Sequence, residues 1–217
     1  MLMAGLTFLA LISASIHIRA EFLDFQSHIY FFKPLTMILI LSIALLGRRI
    51  EGGRYKPLIL AGLVMSLVGD VLLMMPAEFF IPGLAAFLIA HLIYIAAFRI
   101  DLPSGGFSIG VLAPFVVYGV LMAAFLAPGL GDMLIPVFAY VGIILAMGWQ
   151  ALVRWIRAQD RMALWAMIGA FLFILSDTAL AVNKFRVTFA AEPVVVLTTY
   201  YAAQWFIARS VDQQTIQ

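Results

Sequence analysis

Cysteine is absent from the 217-residue chain, and that omission excludes disulfides, thiolate nucleophiles and cysteine-ligated metal centres together. Charge is nearly as scarce. Asp, Glu, Lys and Arg make up 11% of the residues, against roughly 25% in a soluble domain. A formal net charge of +2 gives no concentrated basic face, so nucleic acid is not an expected partner. The histidines, His17, His28 and His91, form neither an HExxH nor an HxxxH pair, which removes the usual zinc-hydrolase arrangement. There is no GxSxG elbow and no phosphate-binding P-loop, so serine-lipase and ATP-driven pump chemistry lose their signatures. These absences leave a chemistry with no metal and no organic cofactor expected.

What the chain has in abundance is apolar surface: 65% of residues are hydrophobic and the mean hydropathy is +1.10. A spanning helix needs roughly 20 mostly apolar residues, because the hydrocarbon core is about 30 Å thick. The apolar runs at 2–18, 31–47, 57–75, 81–98, 108–127, 133–153, 162–183 and 193–208 predict an all-α membrane protein, a bundle of about eight transmembrane helices forming a single domain over 1–217. The first run lacks the basic start of a signal peptide and reads as a retained helix. Turn signals separate the runs: the polar stretch Arg48 to Lys56, Pro103-Ser104-Gly105-Gly106, and Pro128-Gly129. Pro34, Pro82 and Pro193 fall near expected helix starts, whereas Pro114 and Pro136 are placed to kink.

Basic residues orient the bundle. Arg48, Arg49, Arg54, Lys56, Arg99, Arg154, Arg157, Arg161 and Arg209 fall on one side, and Arg19, Lys33, Lys184 and Arg186 on the other. Nine against four places both termini in the cytoplasm, in a bacterial cytoplasmic (inner) membrane. A faint duplication also appears. Gly69-Asp70-Val71-Leu72-Leu73 echoes Ser176-Asp177-Thr178-Ala179-Leu180, and Pro34 echoes Pro136, which suggests two pseudo-repeated four-helix halves.

A charged side chain at mid-membrane costs at least about 2.5–3.5 kcal/mol, so an Asp within an apolar helix needs a partner or a role. Asp70 lies five residues before Met75, and Asp177 six before Asn183. At about 1.5 Å per residue they sit about 7.5 and 9 Å inside their helices, at similar depths below one face. These are the candidate catalytic groups, against the plainer reading of packing aspartates satisfied by hydroxyls and backbone. His91 and Tyr94 share a face of the fourth helix, and Tyr200 and Gln204 a face of the eighth. Interior hydrogen bonding and an interfacial aromatic belt are their ordinary roles. Lys33 and Lys184 fall at expected helix ends, where a lysine snorkels or holds a phosphate.

Taken in order, Lys33-Pro34, Gly69-Asp70, Phe87 with His91 and Tyr94, Gly169-Ala170, Ser176-Asp177, Asn183-Lys184-Phe185, Tyr200 and Ala203-Gln204 resemble the YhhN family of lysoplasmalogenase-type membrane proteins, over helices 2 to 8. The resemblance implies an eight-helix hydrolase that cleaves the vinyl ether of lysoplasmalogen to a fatty aldehyde and glycerophosphoethanolamine or glycerophosphocholine. Its partners are then a lysophospholipid substrate and the surrounding membrane lipids.

Vinyl ether hydrolysis protonates the β-carbon and passes through an oxocarbenium ion that water captures. Two carboxyl groups in differing environments can divide the acid and anion roles, as in glycosidases. Under this reading Asp70 and Asp177 do the chemistry, with the donor left open. Lys33 and Lys184 meet the phosphate, and His91, Tyr94, Asn183, Tyr200 and Gln204 bind or orient. The alternative is a proton- or cation-coupled transporter of a small lipid or metabolite, in which the same carboxylates carry the ion.

Overall fold

In lipid every backbone N–H and C=O must find a partner within the chain, so apolar runs of this length fold as helices. The computed structural model describes residues 2–48, 53–100, 102 and 109–212. It contains α1 (Leu2–Phe22), α2 (Gln26–Leu46), α3 (Tyr55–Met74), α4 (Phe80–Arg99), α5 (Ile109–Leu130), α6 (Leu134–Ala158), α7 (Arg161–Phe185) and α8 (Glu192–Arg209). No strand occurs among the described residues. The expected turn at Pro103-Ser104-Gly105-Gly106 lies outside them, as does Arg49.

Among the described residues, six stretches are long and apolar enough to cross a membrane: α1, α2, α3, Ala77–Arg99, Gly110–Ala158 and α7. The longest joins α5 and α6 through the short turn Gly131–Met133. The chain is therefore a multi-pass helical membrane protein. Helix α8 is not among the six. Thr198, Thr199, Tyr200, Tyr201 and Gln204 interrupt its apolar run, and it packs instead against α1, α2, α3 and α7.

Hydropathy misplaces several helix ends because it stops at polar residues, while backbone hydrogen bonds continue through them. Helix α1 runs on to Phe22, and α2 begins at Gln26. The bend between them is made by Asp24 in the left-handed region (φ 52°), whose carboxylate accepts Gln26 Nε2–H at 2.7 Å. Pro34 consequently lies inside α2, where a helix start was expected. Pro136 is the third residue of α6, so its missing N–H falls in the first turn and leaves no kink. Helix α5 continues through Pro128-Gly129 to Leu130, and the turn is made by Gly131 with φ +50°, a conformation suited to glycine.

Lipid tails are as apolar as leucine, so helix pairs in a membrane are held largely by close packing. Small residues provide it here. A Cβ added to Gly69 on α3 would lie 2.6 Å from Phe87 Cδ2 on α4, and one added to Gly62 would collide with the Tyr94 ring. Met37, Ile59, Leu63, Phe98, Phe173 and Ile207 are fully enclosed in the resulting core. Helix α5 stands apart, packing on α6 and α7. Its buried side chains among the described residues are Leu126 and Leu130, both near its end.

Candidate active site

The hairpins α1–α2, α3–α4, α5–α6 and α7–α8 bring their connections to one end of the bundle, and a cavity of about 320 Å³ opens beneath them. Asp70 from α3 and Asp177 from α7 both line it. Four residues separate Asp70 from the end of α3, and eight separate Asp177 from the end of α7. At about 1.5 Å per residue the depths are about 6 and 12 Å along their own helices. Equal depth in sequence is thus replaced by a longer α7 that reaches the same cavity.

Each carboxylate is held by a tyrosine from another helix. Tyr200 on α8 donates its hydroxyl to Asp70 Oδ2 at 2.5 Å, and Tyr140 on α6 donates to Asp177 Oδ2. Lys33 Nζ is 3.7 Å from Asp70 Oδ1, with side-chain exposures of 13% and 3%. This placement differs from the helix end expected for Lys33. Because α2 starts at Gln26, the lysine lies seven residues inside the helix, about 10 Å in, and its ammonium faces the carboxylate. Asp177 has no ion pair among the described residues.

The tyrosines are fixed by ring packing. Phe173 sits edge-on to Tyr200 (centroids 5.5 Å), Phe87 (6.1 Å) and His91 (4.6 Å), and His91 in turn packs on Tyr140 at 5.3 Å. His91 therefore lies behind the cavity wall, fully buried, and neither ring nitrogen has a hydrogen-bond partner among the described residues. Tyr94 and Gln204 are also fully buried behind the wall, joined by a Tyr94 hydroxyl to Gln204 Oε1 bond of 3.0 Å. Asn183 accepts the Phe189 N–H at 3.0 Å and organises the α7–α8 connection. Lys184 lines the cavity, with its ammonium 4.0 Å from the centre of the Phe80 ring.

Several lining residues carry no signal in the sequence reading. Tyr140 escaped it although a phenol hydroxyl in an apolar run always requires a partner. Glu21 and Glu192 lie at helix ends and look like ordinary interfacial charge, yet both line the cavity. Glu21 is 3.2 Å from His17 Nε2, and His17 Nδ1 is 2.9 Å from the Tyr201 hydroxyl. Tyr118 and Thr178, also lining residues, are bonded through their hydroxyls at 2.7 Å. The inner wall is apolar, with Met122, Val141, Ile144, Leu145 and Ile174.

Apolar helices around a chamber that carries two aspartates, two rim glutamates, ammonium groups and phenols define a polytopic membrane protein with an intramembrane polar site. The chain matches the YhhN family over residues 28–211. It belongs to that family. Among its relatives, human lysoplasmalogenase TMEM86B is 43% identical over 159 residues, covering 73% of this chain and 65% of the human protein. The pig protein of the same name is 38% identical over 176 residues, 80% of this chain and 72% of its own. The uncharacterized membrane protein YhhN of Escherichia coli O157:H7 is 31% identical over 180 residues, 83% and 85% of the two chains. The match thus spans just under two thirds of the human protein's length. No solved structure matches the chain.

Proposed function

We propose that this protein is an intramembrane ether hydrolase that cleaves the vinyl ether of lysoplasmalogen, with Asp70 and Asp177 as its acid–base pair. The observation that carries the reading is the pair itself: two aspartates in one largely apolar cavity, each held by a tyrosine. Relatives named lysoplasmalogenase in human and pig support the substrate class.

The surroundings suit different roles for the two acids. Lys33 balances a negative charge on Asp70, so Asp70 fits the carboxylate. Asp177, with a phenol beside it, fits the proton donor. Asp177 protonates the β-carbon of the vinyl ether, and the carbon bonded to oxygen becomes an oxocarbenium ion that the Asp70 carboxylate stabilises. Water adds to that carbon and gives its proton to Asp70. In the collapse of the hemiacetal Asp70 passes its proton to the departing glycerol oxygen and the Asp177 carboxylate takes the hemiacetal hydroxyl proton, so both acids return to their starting forms as the fatty aldehyde and glycerophosphoethanolamine or glycerophosphocholine leave; one water is consumed and no electron changes hands. Tyr140 and Tyr200 orient the acids. Lys184 suits the phosphate, and Glu21 and Glu192 suit the ammonium of the headgroup.

The bundle is read as one transmembrane domain. Its arginine-bearing end, where Trp205 Nε1 of α8 reaches Thr7 Oγ1 of α1 at 3.1 Å, is read as cytoplasmic.

Purified protein in nanodiscs, given lysoplasmenylethanolamine, should release aldehyde and glycerophosphoethanolamine in equal amounts. Positioned acid–base groups typically contribute about 10²–10⁴ in rate, so Asp70→Asn and Asp177→Asn should each lower kcat by about that factor. Full turnover in both variants removes this site. Movement of lysolipid across the bilayer without aldehyde would favour the transporter reading.

A further inference from the structure

Beside the carboxylate cavity, a second hollow of about 200 Å³ lies between α5, α6 and α7, lined by Pro114, Phe115, Tyr118, Leu145, Phe171 and Ile174. It is apolar and lies on a face of the bundle where Val117, Val120, Leu121 and Phe171 are exposed. Three of its lining residues, Tyr118, Leu145 and Ile174, also line the carboxylate cavity. The two hollows are therefore back to back, separated by a partition of three side chains. We propose that the outer hollow is the distal half of a binding site for the hydrocarbon chain of a single-chain lipid, which reaches the carboxylates sideways from the bilayer between α5 and α7. This rests on the hydrolase reading for the identity of the headgroup, though not for the path of the chain.

The order of residues along both helices fits one chain running inward from the headgroup. On α7 the lining sequence from the cavity end is Lys184, Asp177, Ile174, Phe171; on α5 it is Leu126, Met122, Tyr118, Phe115, Pro114. Ile174 lies one helical turn deeper than Asp177, and Phe171 nearly one turn deeper again. A lipid whose reacting bond sits at Asp177 thus has its hydrocarbon at the partition and beyond. A cavity of about 320 Å³ is at the small end of sites for drug-sized ligands, roughly 300–1,000 Å³, so a long chain needs the further space.

The partition is a single layer of closely fitted side chains. Leu145 and Ile174 rest against glycines: a Cβ on Gly119 would stand 2.9 Å from Leu145 Cδ1, and one on Gly148 2.5 Å from Ile174 Cδ1. The α5 side is held to α7 by the Tyr118–Thr178 hydroxyl pair at 2.7 Å and by Phe115 against Phe171 at 6.0 Å. Leu126 and Leu130 anchor the far end of α5, and no side chain described between Gly110 and Phe125 is fully buried. Passage of a chain past the partition then requires the Tyr118–Thr178 bond to open, while Leu126 and Leu130 keep α5 anchored.

The direct test uses the wild-type protein in nanodiscs and a lysolipid analogue with a saturated alkyl ether in place of the vinyl ether, carrying a diazirine near the end of its chain. Adducts are expected at residues 114–118 and 171–174, and unlabelled alkenyl lysolipid should compete them away. Adducts elsewhere, or adducts at these positions that competitor does not reduce, overturn the proposal, the second result meaning ordinary bilayer lipid. Ile174→Trp supplies a second readout: the kcat/KM ratio for a sixteen-carbon over a four-carbon chain should fall about tenfold or more by steric blockage, and an unchanged ratio counts against the groove. Competed adducts without any aldehyde release would sink the hydrolase reading and leave the groove standing, whereas turnover with the label elsewhere does the reverse.

Discussion

Replacing Lys33 by Met removes the cation paired with Asp70. At the observed 3.7 Å, with an effective dielectric of about 20, the Coulomb attraction to Asp70 is about 4 kcal/mol. Removing one member of a buried pair typically costs about 3–5 kcal/mol, because the other charge is left uncompensated. A chain unfolded within lipid finds alternative polar partners, which trims such figures, so a loss of about 2–4 kcal/mol is expected for Lys33→Met. At roughly 2–4 °C per kcal/mol for a chain of this size, the melting temperature in detergent should drop by on the order of 10 °C. The decisive assay is the cycle of Lys33→Met, Asp70→Asn and the double variant. Once Asp70 is Asn no charge is stranded, and the double variant should recover most of the stability lost in Lys33→Met. Additive losses would show that the two side chains do not sense each other, and the carboxylate role given to Asp70 would lose its support.

Tyr140→Phe removes the hydroxyl that donates to Asp177; the bond is worth about 0.5–1.5 kcal/mol to the neutral acid and about 1.5–3 kcal/mol to the carboxylate left once the proton is given up, so kcat should fall about tenfold while the melting temperature drops by only a few degrees. Gly69→Ala drives a methyl into Phe87, which packs on Tyr200 at 5.9 Å; a loss of about 1–3 kcal/mol in thermal stability is expected from overpacking, and an unchanged melting curve would contradict the α3–α4 contact. His91→Phe should cost less than about 1 kcal/mol, since neither nitrogen is hydrogen-bonded to the protein and the neighbours are aromatic; a large fall in stability would reveal a polar partner for the imidazole.

The fold class was legible because lipid imposes a simple rule, roughly 20 apolar residues per crossing, and every run but that of α8 meets it among the described residues. The ends were not, for a physical reason visible at Lys33: hydropathy takes Gln26-Ser27-His28 for a loop, but the helix already runs through them. That shift moves the lysine from the rim to the carboxylate. Asp70 and Asp177 stood out because burial makes an unpaired acid costly, whereas Tyr140 and the rim residues Glu21 and Glu192 are types that tolerate many surroundings. Which polar groups share a chamber depends on the rotation of each helix. His91, Tyr94 and Gln204 face behind the wall rather than into the cavity, an outcome that one-dimensional spacing does not decide.

Helix α8 gives the chain an order of assembly. Too polar to be handed to the bilayer on its own merits, this segment has reason to leave water only once α1, α2, α3 and α7 offer it hydroxyl and carboxyl partners. Tyr200 can therefore reach Asp70 only after α8 itself has been made. Shortened nascent chains ending ahead of α8 would still hold Asp177 through Tyr140 but leave Asp70 without its Tyr200 clasp, so the chamber is completed only when α8 docks.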